Sequence, residues 1–213
     1  MGLAERTRGL DRESILVAAI ALCDREGLAG LNMRALAQEL GVGTMSLYHH
    51  VPNKDALLDG IVEELLGEIE IPSKGDGTWN ERAVRMARSL RSVALRHPAC
   101  IPLLVTRPFA TGPSLRPCEA AFDLLAEAGL DVEQVLIAFR TVVAYVFGWV
   151  TMESAGFFGG GGAHREPEWL LASGLPNLAA MVPHLDGRDL DADFDAGLRV
   201  VVQGALTALM AQR

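Results

Sequence analysis

The chain has 213 residues, a formal charge of −8 and an apolar fraction of 50%. It is long enough to bury one large core, or one core plus a small domain, and too apolar for a disordered protein. The charge is uneven: residues 1–54 hold six basic and six acidic residues, whereas the remainder holds thirteen and twenty-one. A near-neutral N-terminal part on an acidic remainder permits contact with phosphates at one end of the molecule, without requiring it.

Cysteine usage and hydropathy indicate a cellular location. Cys23, Cys100 and Cys118 lie far apart, in no spacing typical of metal ligands, which predicts reduced thiols and no metal or cofactor. The first residues lack the continuous apolar stretch of a signal peptide. The longest apolar stretch, roughly 142–152, is shorter than the ~20 residues that span a bilayer. We therefore expect a soluble cytoplasmic protein with no membrane partner.

The spacing of apolar residues predicts an all-α protein of about nine helices. In the N-terminal part, helices are predicted at 12–26, 33–40, 44–50 and about 54–70. Gly27 and Gly41 are stop signals, and Asn32 and Asn53 can cap the helices that follow them. The fourth helix carries a single apolar stripe, as a helix packed on a core does.

A turn-rich segment, 72–77, separates this part from the remainder of the chain. Beyond it, helices are expected near 79–96, 99–106, 114–128, 132–156, 166–182 and 191–212. We predict a helix-turn-helix DNA-binding domain over 1–54 and a helical ligand-binding and dimerisation domain over 55–213. The fourth helix connects the two.

The second and third helices flank a short turn that begins at Gly41, the arrangement of a helix-turn-helix. Ala37 is small where the two helices must approach, and Val42 and Leu47 can fill the angle between them. The third helix, 44–50, offers hydroxyl and imidazole groups and no carboxylate. Such side chains hydrogen-bond to base edges and phosphates, and methyl groups of Thr and Met contact thymine. This composition favours a helix that lies in the major groove of DNA.

The segment closely resembles the TetR family, in its tetracycline-repressor branch. The resemblance rests on Leu36-Ala37, Leu40-Gly41-Val42, Leu47-Tyr48, His50-Val51, Asn53-Lys54 and Leu57-Leu58. It is strong over about 12–70, and weaker afterwards, where helix order still matches. It implies a transcriptional repressor, not an enzyme, that binds operator DNA through Arg34, Thr44, Met45, Ser46, Tyr48, His49, His50 and Lys54. Tyr48 and Lys54 resemble phosphate contacts, and Arg34, Thr44 and Ser46 are candidates for base contacts.

Other interpretations compete with this one. A bare helix-turn-helix can serve packing alone, and Tyr48 on its own can be a core tyrosine. An enzyme, or a structural dimer that does not bind DNA, remains the alternative from another class. The body histidines, His97, His164 and His184, are scattered, and no nucleophile signature accompanies them. Salt-dependent, sequence-selective DNA binding separates the alternatives.

The C-terminal part is expected to bind an effector and to form a homodimer. The last helix and the helix from Val135 to Met152 are apolar on more than one face, and the resemblance places both in a dimer interface. Candidate effector contacts are His97, Arg107, Phe109, Phe122, Tyr145, Trp149, Met152 and Glu153. For each aromatic, core packing is the competing role. Glu153 has three possible roles: contact with the effector, pairing with an arginine, or marking the point where the helix reaches water.

The effector is expected to differ from magnesium–tetracycline. Thr106-Arg107-Pro108 matches a Thr-Arg-Pro segment of the tetracycline repressors, which carry a magnesium-binding histidine three residues earlier. This chain has Leu103 there, and a hydrocarbon side chain does not ligate magnesium. We expect a more apolar small molecule. The segment 157–162, two phenylalanines followed by four glycines, is expected to be a surface loop, or alternatively a lid over the route by which effector enters.

Overall fold

The structure is a computed structural model that describes residues 10–107, 112–158, 171, 174–184 and 187–211. The described part contains ten α-helices, two 3₁₀ turns and no strand, which confirms the all-α class. The helices are α1 Arg12–Gly30, α2 Met33–Leu40, α3 Thr44–Tyr48, α4 Lys54–Gly67, α5 Trp79–Arg96, α6 Ile101–Thr106, α7 Gly112–Glu127, α8 Val132–Ser154, α9 Pro176–Met181 and α10 Leu190–Met210. The 3₁₀ turns are Pro98–Cys100 and Val182–His184. Residues 166–170, 172 and 173 of the predicted helix 166–182, the glycine run and Phe109 lie outside the described residues. Of the rest of that predicted helix, α9 covers Pro176–Met181.

The helix ends follow the sequence signals. The side chains of Asn32 and Asn53 each accept a hydrogen bond from the backbone N–H three residues later, at 2.9 and 2.8 Å, as N-capping residues do. Gly41 ends α2 with a left-handed φ of 66°, and Gly27 interrupts α1 with a φ of 73°. Two helices end earlier than predicted. α3 ends at Tyr48, two residues before the predicted end, and α4 ends at Gly67, about three residues before it.

The chain forms two compact units, and each is described separately. The first contains residues 1–69 and 92–119. In it α1 packs on α2, α4 and the 98–100 turn, α2 packs on α3, and α4 packs on α6. Gly60 of α4 lies so close to Leu16 of α1 that a methyl group there would overlap the leucine side chain. The fully buried core residues of this unit include Ile15, Leu16, Leu36, Leu47, Leu57, Ile61, Leu65 and Leu104.

The second unit contains residues 70–91 and 120–213. Its framework is the pair α8 and α10, which pack along each other. Gln134 of α8 is buried, and its amide donates a hydrogen bond to the carbonyl of Leu209 at 2.8 Å. The buried core includes Leu125, Leu130, Ala138, Val146, Phe194, Leu198, Val202 and Leu206. A domain boundary at residue 54 stays a prediction.

Helix α8 carries more apolar surface than the chain itself covers. It has 23 residues, and by length and composition alone it is apolar enough to span a membrane. The apolar stretch 142–152, on which the sequence argument against a span rested, is only part of this helix. A single such helix is weak evidence for a span, because core helices of soluble proteins have the same composition. Its two ends are polar: Asp131 caps the first turn, and Glu153 of the last turn is bound to an arginine.

Candidate functional site

The helix-turn-helix geometry comes from one glycine and two buried apolar side chains. Gly41 turns the chain, and its N–H and that of Val42 donate to carbonyls of the last turn of α2. Leu47 is completely buried and Val51 is 1% exposed. These two anchors hold α3 against the core of the first unit, so the orientation of α3 is fixed by packing. Val42, predicted to fill the angle between α2 and α3, is half-buried.

The side chains predicted to contact DNA lie on the solvent side of these anchors. Arg34, Met45, Tyr48, His49, His50 and Lys54 are exposed, and Thr44 and Ser46 are half-buried. Tyr48 is 40% exposed and Met45 71% exposed, so Tyr48 does not have the alternative role of a core tyrosine. The face thus presents donors of several lengths and no carboxylate from α3, which suits hydrogen bonding to base edges and phosphates.

The start of α4 adds a positive site next to α3. Lys54 is the first residue of this helix, where free backbone N–H groups and the helix dipole favour an anion. The neighbouring Asp55 would oppose an anion, but its carboxylate accepts a hydrogen bond from Arg107 Nη2 at 2.8 Å. Arg107 also binds the carboxylate of Asp59. Arg107 therefore offsets one of the two acidic charges of this segment of α4.

Two residues of the first unit, His97 and Arg107, were predicted to contact the effector. Both make contacts within the protein that the sequence did not reveal. His97 Nδ1 lies 2.8 Å from Asp24 Oδ2 on α1. Arg107, at the end of α6, binds α4 as described. Both side chains thus connect the segment 97–107 to helices of the N-terminal part. No sequence pattern signals these contacts, because the partners lie 73 and about 50 positions away.

The effector residues predicted in the second unit form a mixed aromatic and ionic cluster. Arg91 binds Glu153 through two hydrogen bonds of 2.6 and 2.7 Å, and donates a third, of 2.6 Å, to Asp191. Trp149 Nε1 donates to the same Glu153 at 2.9 Å. Of the three roles considered for Glu153, pairing with an arginine is the one observed. Met152 is 43% exposed, at the outer side of α8.

Aromatic rings surround this ion pair. The Tyr145 hydroxyl donates to the carbonyl of Phe194 at 2.7 Å, and burial raises the pKa of Tyr145 to about 12. Arg91 lies over the Phe194 ring, 5.0 Å from its centroid. Trp149 meets Phe194 edge-on at 5.7 Å and stacks on Phe158 at 4.4 Å. The sequence did not indicate Arg91 and Phe194 as members of this cluster, since long-range packing alone brings them to Trp149. Phe158 was predicted only as part of the loop or lid 157–162, and it lies nine residues after Trp149.

Phe122 lies elsewhere in the second unit. Its ring packs edge-on against Phe139 at 4.7 Å, beside the main core of that unit. Both rings are half-buried. This is the arrangement of ordinary core aromatics.

Comparisons with known proteins cover nearly the whole chain. Residues 15–61 match the family model described as "Bacterial regulatory proteins, tetR family", and residues 71–209 match "Tetracyclin repressor-like, C-terminal domain". An HTH-type transcriptional regulator of Saccharopolyspora erythraea is 36% identical over 199 residues, which are 92% of this chain and 84% of that protein. The class A tetracycline repressor of transposon 1721 from Escherichia coli is 33% identical, over 92% of this chain and 90% of the repressor.

A solved structure of a TetR family protein is also similar to this chain over nearly its whole length. The TetR family protein ActR of Streptomyces coelicolor, in complex with actinorhodin, has a TM-score of 0.79 and 31% identity, over 94% of this chain and 98% of that chain. The helix-turn-helix, the exposed face of α3 and the order of the helices are those expected of such a regulator. The chain belongs to the tetR family of bacterial transcriptional regulators, with an N-terminal DNA-binding domain and a C-terminal ligand-binding domain.

Proposed function

We propose that the protein is a cytoplasmic repressor that binds palindromic operator DNA as a homodimer and is released by a small apolar or amphipathic effector. The observation that carries this proposal is the exposed, carboxylate-free face of α3, held by Leu47 and Val51. A helix held in this way fits the major groove, where its side chains reach base edges.

Each predicted contact has a role in this proposal. Arg34, Thr44 and Ser46 read bases, and the exposed thioether of Met45 contacts a thymine methyl group. Tyr48 and Lys54 bind phosphates and fix the register on the duplex. His49 and His50 follow on the same exposed segment. Their ring N–H groups can donate further hydrogen bonds to the phosphates of the DNA backbone.

The proposed dimer uses the outer faces of α8 and α10. Val200 is 73% exposed, and with Gln203, Gly204, Thr207 and Ala208 it lines a shallow groove along α10. Cβ atoms added at Gly148 or Gly204 would meet nothing within 4 Å in the chain, whereas one at Gly197 would overlap the Tyr145 hydroxyl. Gly197 therefore serves packing inside the chain, and the other two leave room for helices of a second copy. A second copy would cover the apolar surface of α8.

The predicted residues are the proposed effector contacts, and two of them hold helices of the first unit. His97 holds α1 through Asp24, and Arg107 holds α4 through Asp55 and Asp59. An effector with different affinities for two arrangements of these contacts would shift the dimer between them. ActR has been solved in complex with actinorhodin, and we propose that this chain likewise binds an effector. Leu103 is 4% exposed, which supports our expectation that magnesium–tetracycline does not bind.

Selection from a randomised duplex pool at moderate salt tests DNA binding. We expect the wild type to enrich a palindrome, and we expect Tyr48→Ala and Lys54→Ala to enrich it less, because each removes a phosphate contact and weakens binding to every sequence alike. Tyr48→Phe is the matched control: it keeps the ring and removes one phosphate hydrogen bond, so it should weaken binding without changing the selected sequence. A folded, ligand-free protein that enriches no sequence would overturn the repressor proposal.

Sedimentation tests the dimer. Gly204→Glu places a carboxylate in the groove on α10, where the chain itself leaves open space, so a monomer should still fold. We expect this variant to dissociate at concentrations at which the wild type is dimeric. Gly204→Ala controls for the higher helix propensity of a non-glycine residue. Dimers of unchanged affinity in Gly204→Glu would place the interface on another surface.

A further inference from the structure

Arg107 has a fixed place just after the end of α6. Its backbone N–H donates to the carbonyl of Leu103 at 3.0 Å, and Leu103 and Leu104 are buried in the first unit. Helix α6 packs on α4, which brings the guanidinium to the first turns of α4. The Arg107 side chain is only 20% exposed, so its position is set by packing more than by solvent.

The guanidinium binds three acceptors on α4. Nη2 donates to Asp55 Oδ1 at 2.8 Å, and Nη1 donates to the Asp55 carbonyl at 3.2 Å and to the Asp59 carboxylate. Asp55 and Asp59 are four positions apart and therefore lie on the same face of α4. The rigid, forked guanidinium binds both carboxylates at once, which the single ammonium of a lysine does less well. Arg107 thus holds the Asp55 carboxylate in one orientation.

Without Arg107, the Asp55 carboxylate would compete with a DNA phosphate. Asp55 directly follows Lys54, the proposed phosphate contact, and its side chain is 83% exposed, so packing does not restrain it. A carboxylate in the first turn of a helix is attracted to the same positive helix end that binds a phosphate. A released carboxylate would therefore repel the phosphate and take its place beside Lys54.

We infer that Arg107 is a positioning residue for DNA binding: it holds the Asp55 carboxylate so that Lys54 and the start of α4 stay available to an operator phosphate. This inference rests on the proposed function, since it concerns a phosphate contact of the proposed repressor. It requires that Asp55 opposes DNA binding strongly only where Arg107 is missing. The effects of the two side chains on DNA affinity are then coupled, and a double-mutant cycle measures that coupling.

The test measures binding of the full-length protein to the selected operator by fluorescence anisotropy, without effector. We expect Arg107→Gln to weaken binding roughly threefold for each DNA-binding domain, or about tenfold for a dimer, because an unrestrained carboxylate then faces each phosphate. In Arg107→Gln, the additional change Asp55→Asn should restore about tenfold, whereas in the wild type it should strengthen binding by about twofold or less. A loss caused by damage to the fold would not be restored in this way.

The salt dependence of binding gives a second readout. The slope of log affinity against log salt concentration should be smaller for Arg107→Gln than for the wild type, as for Lys54→Ala, because the contact between Lys54 and the phosphate is weakened. It should return to the wild-type value when Asp55→Asn is added. Arg107→Lys keeps a cation at this place and replaces Arg107→Gln if that variant does not fold, with a smaller loss in the same direction.

A second ion pair of the same unit is the matched control. Arg25 Nη2 donates to Glu39 at 2.9 Å and joins α1 to α2, and neither residue follows a proposed phosphate contact. Glu39→Gln should therefore change operator affinity by the same factor with and without Arg25→Gln.

Two results would overturn the inference. One is unchanged operator affinity in a folded Arg107→Gln. The other is an additive cycle, in which Asp55→Asn strengthens binding by the same factor with and without Arg107. A wild type that selects no sequence would overturn the proposed function as well, whereas operator binding with an additive cycle would keep the proposed function and lose only this inference.

Discussion

Loss of the Glu153 carboxylate charge should be among the most destabilising single changes in the second unit. The Arg91 side chain is 9% exposed and that of Glu153 13% exposed. In Glu153→Gln, the buried guanidinium would keep only Asp191 as a carboxylate partner, and that side chain is 82% exposed. Removing one member of a buried pair costs about 3–5 kcal/mol. We expect about 3 kcal/mol, the low end, because the glutamine oxygen still accepts one hydrogen bond.

Urea unfolding at one fixed protein concentration, followed by circular dichroism, measures this free energy. With a slope of about 3 kcal/mol per molar urea, the midpoint should fall by roughly 1 M. The double variant Arg91→Met with Glu153→Met should cost less than the sum of the two single methionine variants, because no uncompensated charge is left buried.

A surface pair provides the control. Arg25 and Glu39 are 49% and 41% exposed, so Glu39→Gln should cost less than about 1 kcal/mol. The reasoning fails if Glu153→Gln costs no more than Glu39→Gln. It also fails if the costs of the two methionine substitutions are additive, since the two side chains would then not depend on each other.

Three further predictions concern DNA binding, acid stability and the turn. Lys54→Ala should reduce the slope of log affinity against log salt concentration by about 0.9 for each DNA-binding domain, or about 2 for a dimer. Fluorescence anisotropy on the selected operator measures this slope, and an unchanged slope would show that Lys54 contacts no phosphate. The hydrogen bond from Arg88 lowers the pKa of Asp195, so its stabilisation is present at neutral pH and is lost as the pH falls below about 4. Urea unfolding at several pH values should therefore show a smaller loss of stability in acid for Asp195→Asn than for the wild type, and equal losses would contradict this assignment. Gly41→Ala should cost about 1 kcal/mol, because φ at this position is 66°, and a neutral effect on thermal unfolding would mean that the turn rearranges.

Local signals in the sequence determined the helix ends and the exposed face of α3. Asn32, Asn53, Gly27 and Gly41 act on backbone groups within four residues, so their effects can be predicted without knowledge of the fold. The apolar positions Leu47 and Val51 likewise determine which side of α3 is buried, and therefore which side chains face solvent. The family resemblance rested in part on Gly41, Leu47, Val51 and Asn53, and the comparisons confirm the family.

Tertiary structure alone decided the partners of the charged and aromatic side chains in the C-terminal part. From the sequence, Glu153 had three possible roles, because nothing near it in the chain indicates that Arg91, 62 positions away, approaches it. The same holds for His97 with Asp24 and for Phe158, whose position on Trp149 depends on a turn after α8. Helix periodicity reports which residues are buried but not which residues they meet, because long-range contacts depend on how the helices pack, and that packing is a property of the whole chain.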